Sequence, residues 1–127
     1  MIARDIMTRK VYTISPEASV QEAAALLTRE RISGVAVVDK DDRIIGIVTQ
    51  ADIIGKVGQT GLRVADIMSA EVISVGEETR VSEIAMLLSK HHIKRVPVMC
   101  HDKMVGTVCR ADIVRAVAQG YLVIRHW

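Results

Sequence analysis

Apolar and polar positions follow two alternating rhythms along this chain, and the whole pattern is written twice. In residues 20–31, Val20, Ala23, Ala24 and Leu27 recur at helical spacing, and Ser19 with Glu22 forms a capping-box pattern at the start. Residues 35–39 read as a buried-type strand, 40–43 as a polar turn and 44–48 as the returning strand of a hairpin. Thr49 opens a second helix, ended by the glycine-bearing linker 55–61. Ahead of these, Asp5-Ile6-Met7-Thr8 reads as a short leading turn of helix, and 11–16 as an extended segment ending in turn chemistry. The second half predicts the same series: a helix from Thr79, a strand over 96–100, a turn at 101–103, a strand over 104–108 and a helix over 111–119. Each half is strand, helix, strand, strand, helix. The fold class is therefore α+β.

The duplication is residue by residue. Asp5-Ile6-Met7 returns as Asp66-Ile67-Met68, and Val20, Glu22, Ala24 and Leu27 return as Val81, Glu83, Ala85 and Leu88. After a one-residue shortening, Gly46, Val48, Ala51 and Asp52 return as Gly106, Val108, Ala111 and Asp112. A unit of about sixty residues repeated once predicts two similar halves, 1–61 and 62–119, packed about a pseudo-two-fold axis, with a tail, 120–127, that has no counterpart. Such an axis makes a cleft with two related pockets. Places where the repeats differ then say what each pocket can do.

Composition narrows the class. The 127 residues suit one compact domain, and each half alone is marginal, so the halves are expected to share a core. Half the residues are hydrophobic but Phe is absent, which leaves the core to Val, Ile, Leu, Ala and Met. A net charge of +2, with acids and bases interspersed and few aromatics for stacking, speaks against nucleic acid. No apolar run approaches the ~20 residues of a membrane span. Two cysteines without a framework fit a reducing, cytoplasmic setting. His91, His92, Cys100, His101 and Cys109 match no zinc spacing. Cys100 and Cys109 sit at opposite ends of the second hairpin, about 15 Å apart, too far for a disulfide. Met7 and Met68 read as gap-fillers at the core ends, Met86 as part of a helix interface, and the tail with Tyr121 and Trp127 as packing on its own domain or a second copy.

The sharpest chemical element is Gly46-Ile47-Val48-Thr49-Gln50-Ala51-Asp52. A strand ending at a helix N-terminus offers amides to a phosphate, a hydroxyl can donate to it, and a carboxylate one turn on can accept from both hydroxyls of a ribose. Equally, Thr49 and Asp52 form a capping box worth about 1 kcal/mol to the helix. The pattern fits both roles.

The leading Asp-Ile-Met-(Thr/Ser), the strands at Ser33-Gly34-Val35-Ala36-Val37 and Lys94-Arg95-Val96-Pro97-Val98, and the Gly-x-x-(Thr)-x-x-Asp at the last helix resemble a tandem cystathionine-β-synthase (CBS) domain pair, also called a Bateman module. The resemblance covers residues 1–119. It implies pockets built across the axis, one Asp holding a ribose and one Thr or Ser a phosphate. Site one then takes Ile47, Thr49 and Asp52 with Ile73, Ser74, Lys94, Arg95, Val96 and Pro97. Ile47, Ile73 and Val96 would sandwich adenine, and Lys94 and Arg95 would neutralise phosphate unless they are merely a solvated strand edge. Site two takes Thr107, Cys109, Arg110 and Asp112 with Tyr12, Thr13, Ala18, Ser33, Gly34, Val35 and Ala36. It departs from the pattern: Cys109 replaces the hydroxyl residue, Ser33-Gly34 the basic pair and Ala36 a proline. Site two is thus expected either to bind phosphate weakly, favouring an uncharged adenosine derivative, or to be an empty relic.

No nucleophile triad, shared carboxylate pair or glycine fingerprint is present, so the chain reads as a regulatory module rather than an enzyme. The resemblance implies an adenosine nucleotide ligand (AMP, ADP or ATP, with S-adenosylmethionine or NAD as further candidates), no metal, a homodimer meeting as a flat disc, and a separate target polypeptide. Association is expected through helix faces such as Ala23-Ala24-Leu27 and Ala85-Leu88. The alternative is a dimerisation or protein-docking module whose pockets are vestigial.

Overall fold

The computed structural model describes residues 1–122; Trp127 and its neighbours in the tail lie outside the described residues. The elements run α1 (Ala3–Ile6), β1 (Thr13–Ile14), α2 (Val20–Glu30), β2 (Gly34–Val38), β3 (Ile44–Thr49), α3 (Gln50–Ile54), α4 (Val64–Ile67), β4 (Val75–Gly76), α5 (Val81–Lys90), β5 (Arg95–Cys100), β6 (Lys103–Cys109) and α6 (Arg110–Ala118). The chain is mixed α+β, and its strands form two three-stranded sheets ordered β1-β2-β3 and β4-β5-β6. In each, the short first strand runs parallel to the second and the second and third form an antiparallel hairpin. Both hairpins carry a register shift at the same repeat position, between Val37 and Val38 and between Val98 and Met99.

The chain divides into two compact units. One is Tyr12–Val72, the central unit; the other joins Met1–Val11 to the residues from Ile73 onward, the split unit. In the split unit, the amides of Ala3 and Arg4 donate to the carbonyls of Thr79 and Glu77 at 2.8 and 2.9 Å, and Val81 donates back to Met1. In the central unit, α4 does the same job: Val64 donates to Ala18 and Ala65 to Pro16, at 2.8 and 2.9 Å. Each leading Asp-Ile-Met segment therefore completes the unit built on the other repeat's hairpin.

Glycine makes this docking possible. A Cβ on Gly106 would stand 2.7 Å from the Thr8 carbonyl oxygen and 2.8 Å from the Met7 sulfur. On Gly46 it would stand 2.6 Å from the Met68 sulfur and 3.0 Å from the Ser69 carbonyl. Only a residue without a side chain lets the leading segment lie this close to the strand. Met7 and Met68 thus cover the hairpin glycines of their own units. The amides and carbonyls of Thr8 and Thr107 pair reciprocally, as do those of Ser69 and Ile47.

The expected single core is two clusters, one in each unit. Ala23, Leu27, Val35, Val37, Val48, Val64 and Ile67 form one; Met7, Val75, Ile84, Leu88, Val96, Val98 and Val108 are the body of the other. The helix faces expected to mediate association belong to these clusters, because Ala23, Leu27 and Leu88 are buried. Apolar side chains are exposed instead at Met86 on α5 and Val114 on α6. Two helix starts also differ from expectation. Ser19 accepts from the Glu22 amide at 3.0 Å, but no return bond from Glu22 completes a box. Helix α5 begins at Val81, because the Thr79 hydroxyl turns back to accept from the Gly76 amide at 3.0 Å.

Candidate functional site

Strand alternation sorts the candidate residues. On the central sheet, Val35, Val37 and Val48 point into the core, so Gly34, Ala36, Ile47 and Thr49 fall on the opposite face, with Thr13 paired to Ala36 and Ala36 to Ile47. On the split unit's sheet, Val96, Val98 and Val108 point inward, which leaves Arg95 opposite Cys109 and Pro97 opposite Thr107 on the other face. Each unit therefore gathers these candidates on the sheet face away from its own core. Two expected contacts are corrected by the same logic: Val96 is fully buried and Val35 is 3% exposed, both within their cores. The Val96 side chain is therefore not free to flank an adenine ring, and the Val35 side chain does not line a pocket on the opposite face. Ile47 and Ile73 are half-buried, while Ser74 and Lys94 are exposed.

The carboxylates at the helix starts carry the chemistry. Asp52 accepts from the Thr49 amide at 2.8 Å and the Thr49 hydroxyl at 3.0 Å, both on Oδ2. Its own amide donates to the Thr49 hydroxyl oxygen at 3.4 Å, which closes a capping box. The cap does not exclude the ligand role, because it uses one carboxylate oxygen; Oδ1 of Asp52 has no hydrogen-bond partner among the described residues. The amides, by contrast, are mostly taken. Gln50 donates to the Ser33 carbonyl at 3.0 Å, and its counterpart Arg110 to the Lys94 carbonyl at 3.0 Å. The α3 N-terminus therefore offers few open amides.

At the second repeat, Asp112 is only 4% exposed. Its Oδ2 accepts from the Cys109 amide at 2.9 Å and the Cys109 thiol at 3.2 Å. Its Oδ1 accepts from the Thr8 hydroxyl at 3.4 Å and from Arg115 at 3.2 Å. Thr8 and Arg115 were not among the sequence candidates. Arg115 sits three residues beyond Asp112, a spacing at which helix side chains meet, so that pair was readable. Thr8 arrives from the far end of the chain, where no local signal reports it.

The remaining candidates have structural partners. The Tyr12 hydroxyl donates to Glu30 at 2.8 Å, and Tyr12 and Ala18 pack on the central core. The Arg110 guanidinium donates to the Ile93 carbonyl at 3.2 Å. Cys100 and Cys109 are both free thiols, at opposite ends of the β5-β6 hairpin. Glu77 accepts a hydrogen bond from the Cys100 thiol, and this, ahead of desolvation and the Glu77 charge, raises the thiol's pKa. Among the described residues no group of three or more His, Cys, Asp or Glu side chains could hold a metal. A recess of ≈ 490 Å³ lined by Pro16, Glu17, Arg63, Ala65 and Asp66 contains none of the candidate residues.

Two glycine-docked hairpins, each ending in a helix start with a carboxylate three residues on, agree with the family model for the CBS domain, which matches residues 3–58 and 64–119. The chain belongs to the CBS domain family. Its fold is that of solved CBS domain pairs. The pair from protein MJ0100, in complex with 5′-methylthioadenosine and S-adenosyl-L-methionine, is 30% identical with a TM-score of 0.86, over 94% of this chain and 98% of that one. CBSX2 in complex with AMP is 26% identical with a TM-score of 0.86, over 95% and 98%. An inosine-5′-monophosphate dehydrogenase of Thermoplasma acidophilum is 36% identical over 110 residues, 86% of this chain but 22% of that enzyme. The likeness to the dehydrogenase is thus confined to a CBS-pair segment of it.

Proposed function

We propose that this CBS pair is a regulatory module that binds an adenosine-containing ligand, of the AMP, ADP or ATP class or an S-adenosyl compound. Asp52 holds the ribose through Oδ1 and Ile47 contacts the base; the family resemblance further implies Ile73 at the base and Lys94 and Arg95 at the phosphate. The observation that carries the reading is the half-engaged Asp52 carboxylate beside Ile47 and Thr49, in a chain similar to CBS pairs solved with AMP, 5′-methylthioadenosine and S-adenosyl-L-methionine. Two open acceptor positions on one charged oxygen suit a vicinal diol. A ligand that prefers one state of the chain shifts its population in proportion to that preference. Exposed Met86 and Val114, on the contacting helices α5 and α6, are the surface we assign to self-association.

A thermal-shift screen with AMP, ADP, ATP, S-adenosylmethionine, 5′-methylthioadenosine and NAD tests this, because a ligand of the folded state raises the melting temperature. At least one should do so at about a hundred times its Kd, where linkage supplies about 2.7 kcal/mol. No shift from any of them at millimolar concentration would transfer the chain to the docking-module reading.

A further inference from the structure

The two repeats place an aspartate at the same position but leave it with different acceptor capacity. A carboxylate offers about four lone-pair positions. At Asp112 four donors take them: the Cys109 amide and thiol, the Thr8 hydroxyl and the Arg115 guanidinium. At Asp52 the two donors of Thr49 share Oδ2, and Oδ1 stays open among the described residues. The difference follows from the sequence. The residue in step with Arg115 is Gly55, which has no side chain to reach back. The residue in step with Thr8 is Ser69, whose hydroxyl makes no bond to Asp52 among those described.

We infer that Arg115, with Thr8, is a latch that closes the second repeat's carboxylate, so that the chain takes one diol-bearing nucleoside, on Asp52. This rests on the nucleoside reading above and adds its stoichiometry and the residues that set it. Arg115 acts through Asp112 and touches no ligand. Its side chain is 60% exposed, whereas that of Asp112 is 3% exposed, so Arg115 is the part of the pair that can be replaced without opening the interior. A ligand diol would have to displace the half-buried thiol and the amide from Oδ2, or the Thr8 hydroxyl and the Arg115 cation from Oδ1, exchanging a charge-assisted bond for a weaker one.

Isothermal titration separates the possibilities, with AMP, ATP, S-adenosylmethionine and 5′-methylthioadenosine as probes. The wild-type chain should bind about one equivalent of its best probe, and Thr8→Val with Arg115→Ala about two, with the first affinity unchanged, because two acceptor positions are released. The reciprocal change is Gly55→Arg. Gly55 has φ −65° and a Cβ there meets nothing nearer than 3.5 Å, so the variant folds without strain. It should weaken binding at Asp52 by about tenfold or more, as expected for loss of hydrogen bonds to a charged group. Gly55→Met, similar in length but uncharged, should leave binding within about twofold, because it offers no donor. Two equivalents on the wild type, one on the double variant, or equal effects of Arg and Met at position 55 would overturn the latch while upholding the nucleoside reading. No heat from any probe with any variant would overturn both.

Discussion

Replacing Gly106 by alanine tests how the leading segment is held. The added Cβ would stand 2.7 Å from the Thr8 carbonyl oxygen, a backbone atom, and 2.8 Å from the Met7 sulfur. The sulfur can rotate away; the carbonyl cannot move without opening the reciprocal Thr8–Thr107 bonds of 2.8 and 3.0 Å. Overpacking of this kind costs ~1–3 kcal/mol, and weakening two backbone hydrogen bonds adds ~0.5–1.5 kcal/mol each. The expected loss is about 3 kcal/mol. At Gly46 the closest atom, 2.6 Å away, is the flexible Met68 sulfur, and the nearest backbone oxygen is 3.0 Å off, so alanine there should cost about half as much. Gly76 meets nothing nearer than 3.7 Å, and Gly76→Ala should be neutral or stabilising by about 0.5 kcal/mol through the unfolded state. Urea unfolding read by circular dichroism gives the ranking, with midpoints falling at an unchanged slope. A Gly106→Ala midpoint equal to or above that of Gly76→Ala would refute the close-approach argument.

Lys94→Ala with Arg95→Ala should weaken ATP by tenfold or more while leaving adenosine nearly unchanged, since charge-assisted bonds contribute ~1.5–3 kcal/mol; equal losses measured by titration would remove these bases from the phosphate. Met86→Glu with Val114→Glu should shift the chain toward monomer in light scattering, because each puts a charge on exposed apolar surface; an unchanged mass would contradict that assignment. Glu77 raises the Cys100 pKa chiefly by accepting the thiol's hydrogen bond. The protonated thiol is therefore favoured in the fold, and this contribution is intact below the ordinary thiol pKa and lost as pH climbs through the raised one. Glu77→Ala should lower that pKa and speed alkylation of Cys100 by iodoacetamide at mildly alkaline pH, and an unchanged rate would contradict it.

Much of the architecture was legible because the repeat doubles every signal. Val35, Val37 and Val48 alternate as a buried hairpin must, and they do line a core. What periodicity could not report was which unit each leading segment completes. Asp5-Ile6-Met7 is next to the first repeat in sequence, yet its docking surface is Gly106, and nothing local encodes a contact with a strand a hundred residues on. Helix starts failed where side chains chose other partners: Thr79 has the chemistry of a cap, but its hydroxyl serves the Gly76 amide. At the candidate site, Asp52 and Asp112 were found by motif, and the motif could not tell them apart. Their difference lies in Arg115 against Gly55 and in Thr8, which reaches Asp112 only once the chain has folded. Val96 was placed beside the ligand by analogy of position, whereas strand alternation alone assigns it to the core.

The account turns on an open oxygen of Asp52 accepting two neighbouring ribose hydroxyls. Titrating the wild-type chain with its best adenosine ligand and then with the 3′-deoxy form of that ligand asks this with a change of one oxygen. Loss of a hydrogen bond to a carboxylate predicts at least about tenfold weaker binding for the deoxy compound. Equal affinities would mean that the sugar is held elsewhere, and that Asp52 does no more than start its helix.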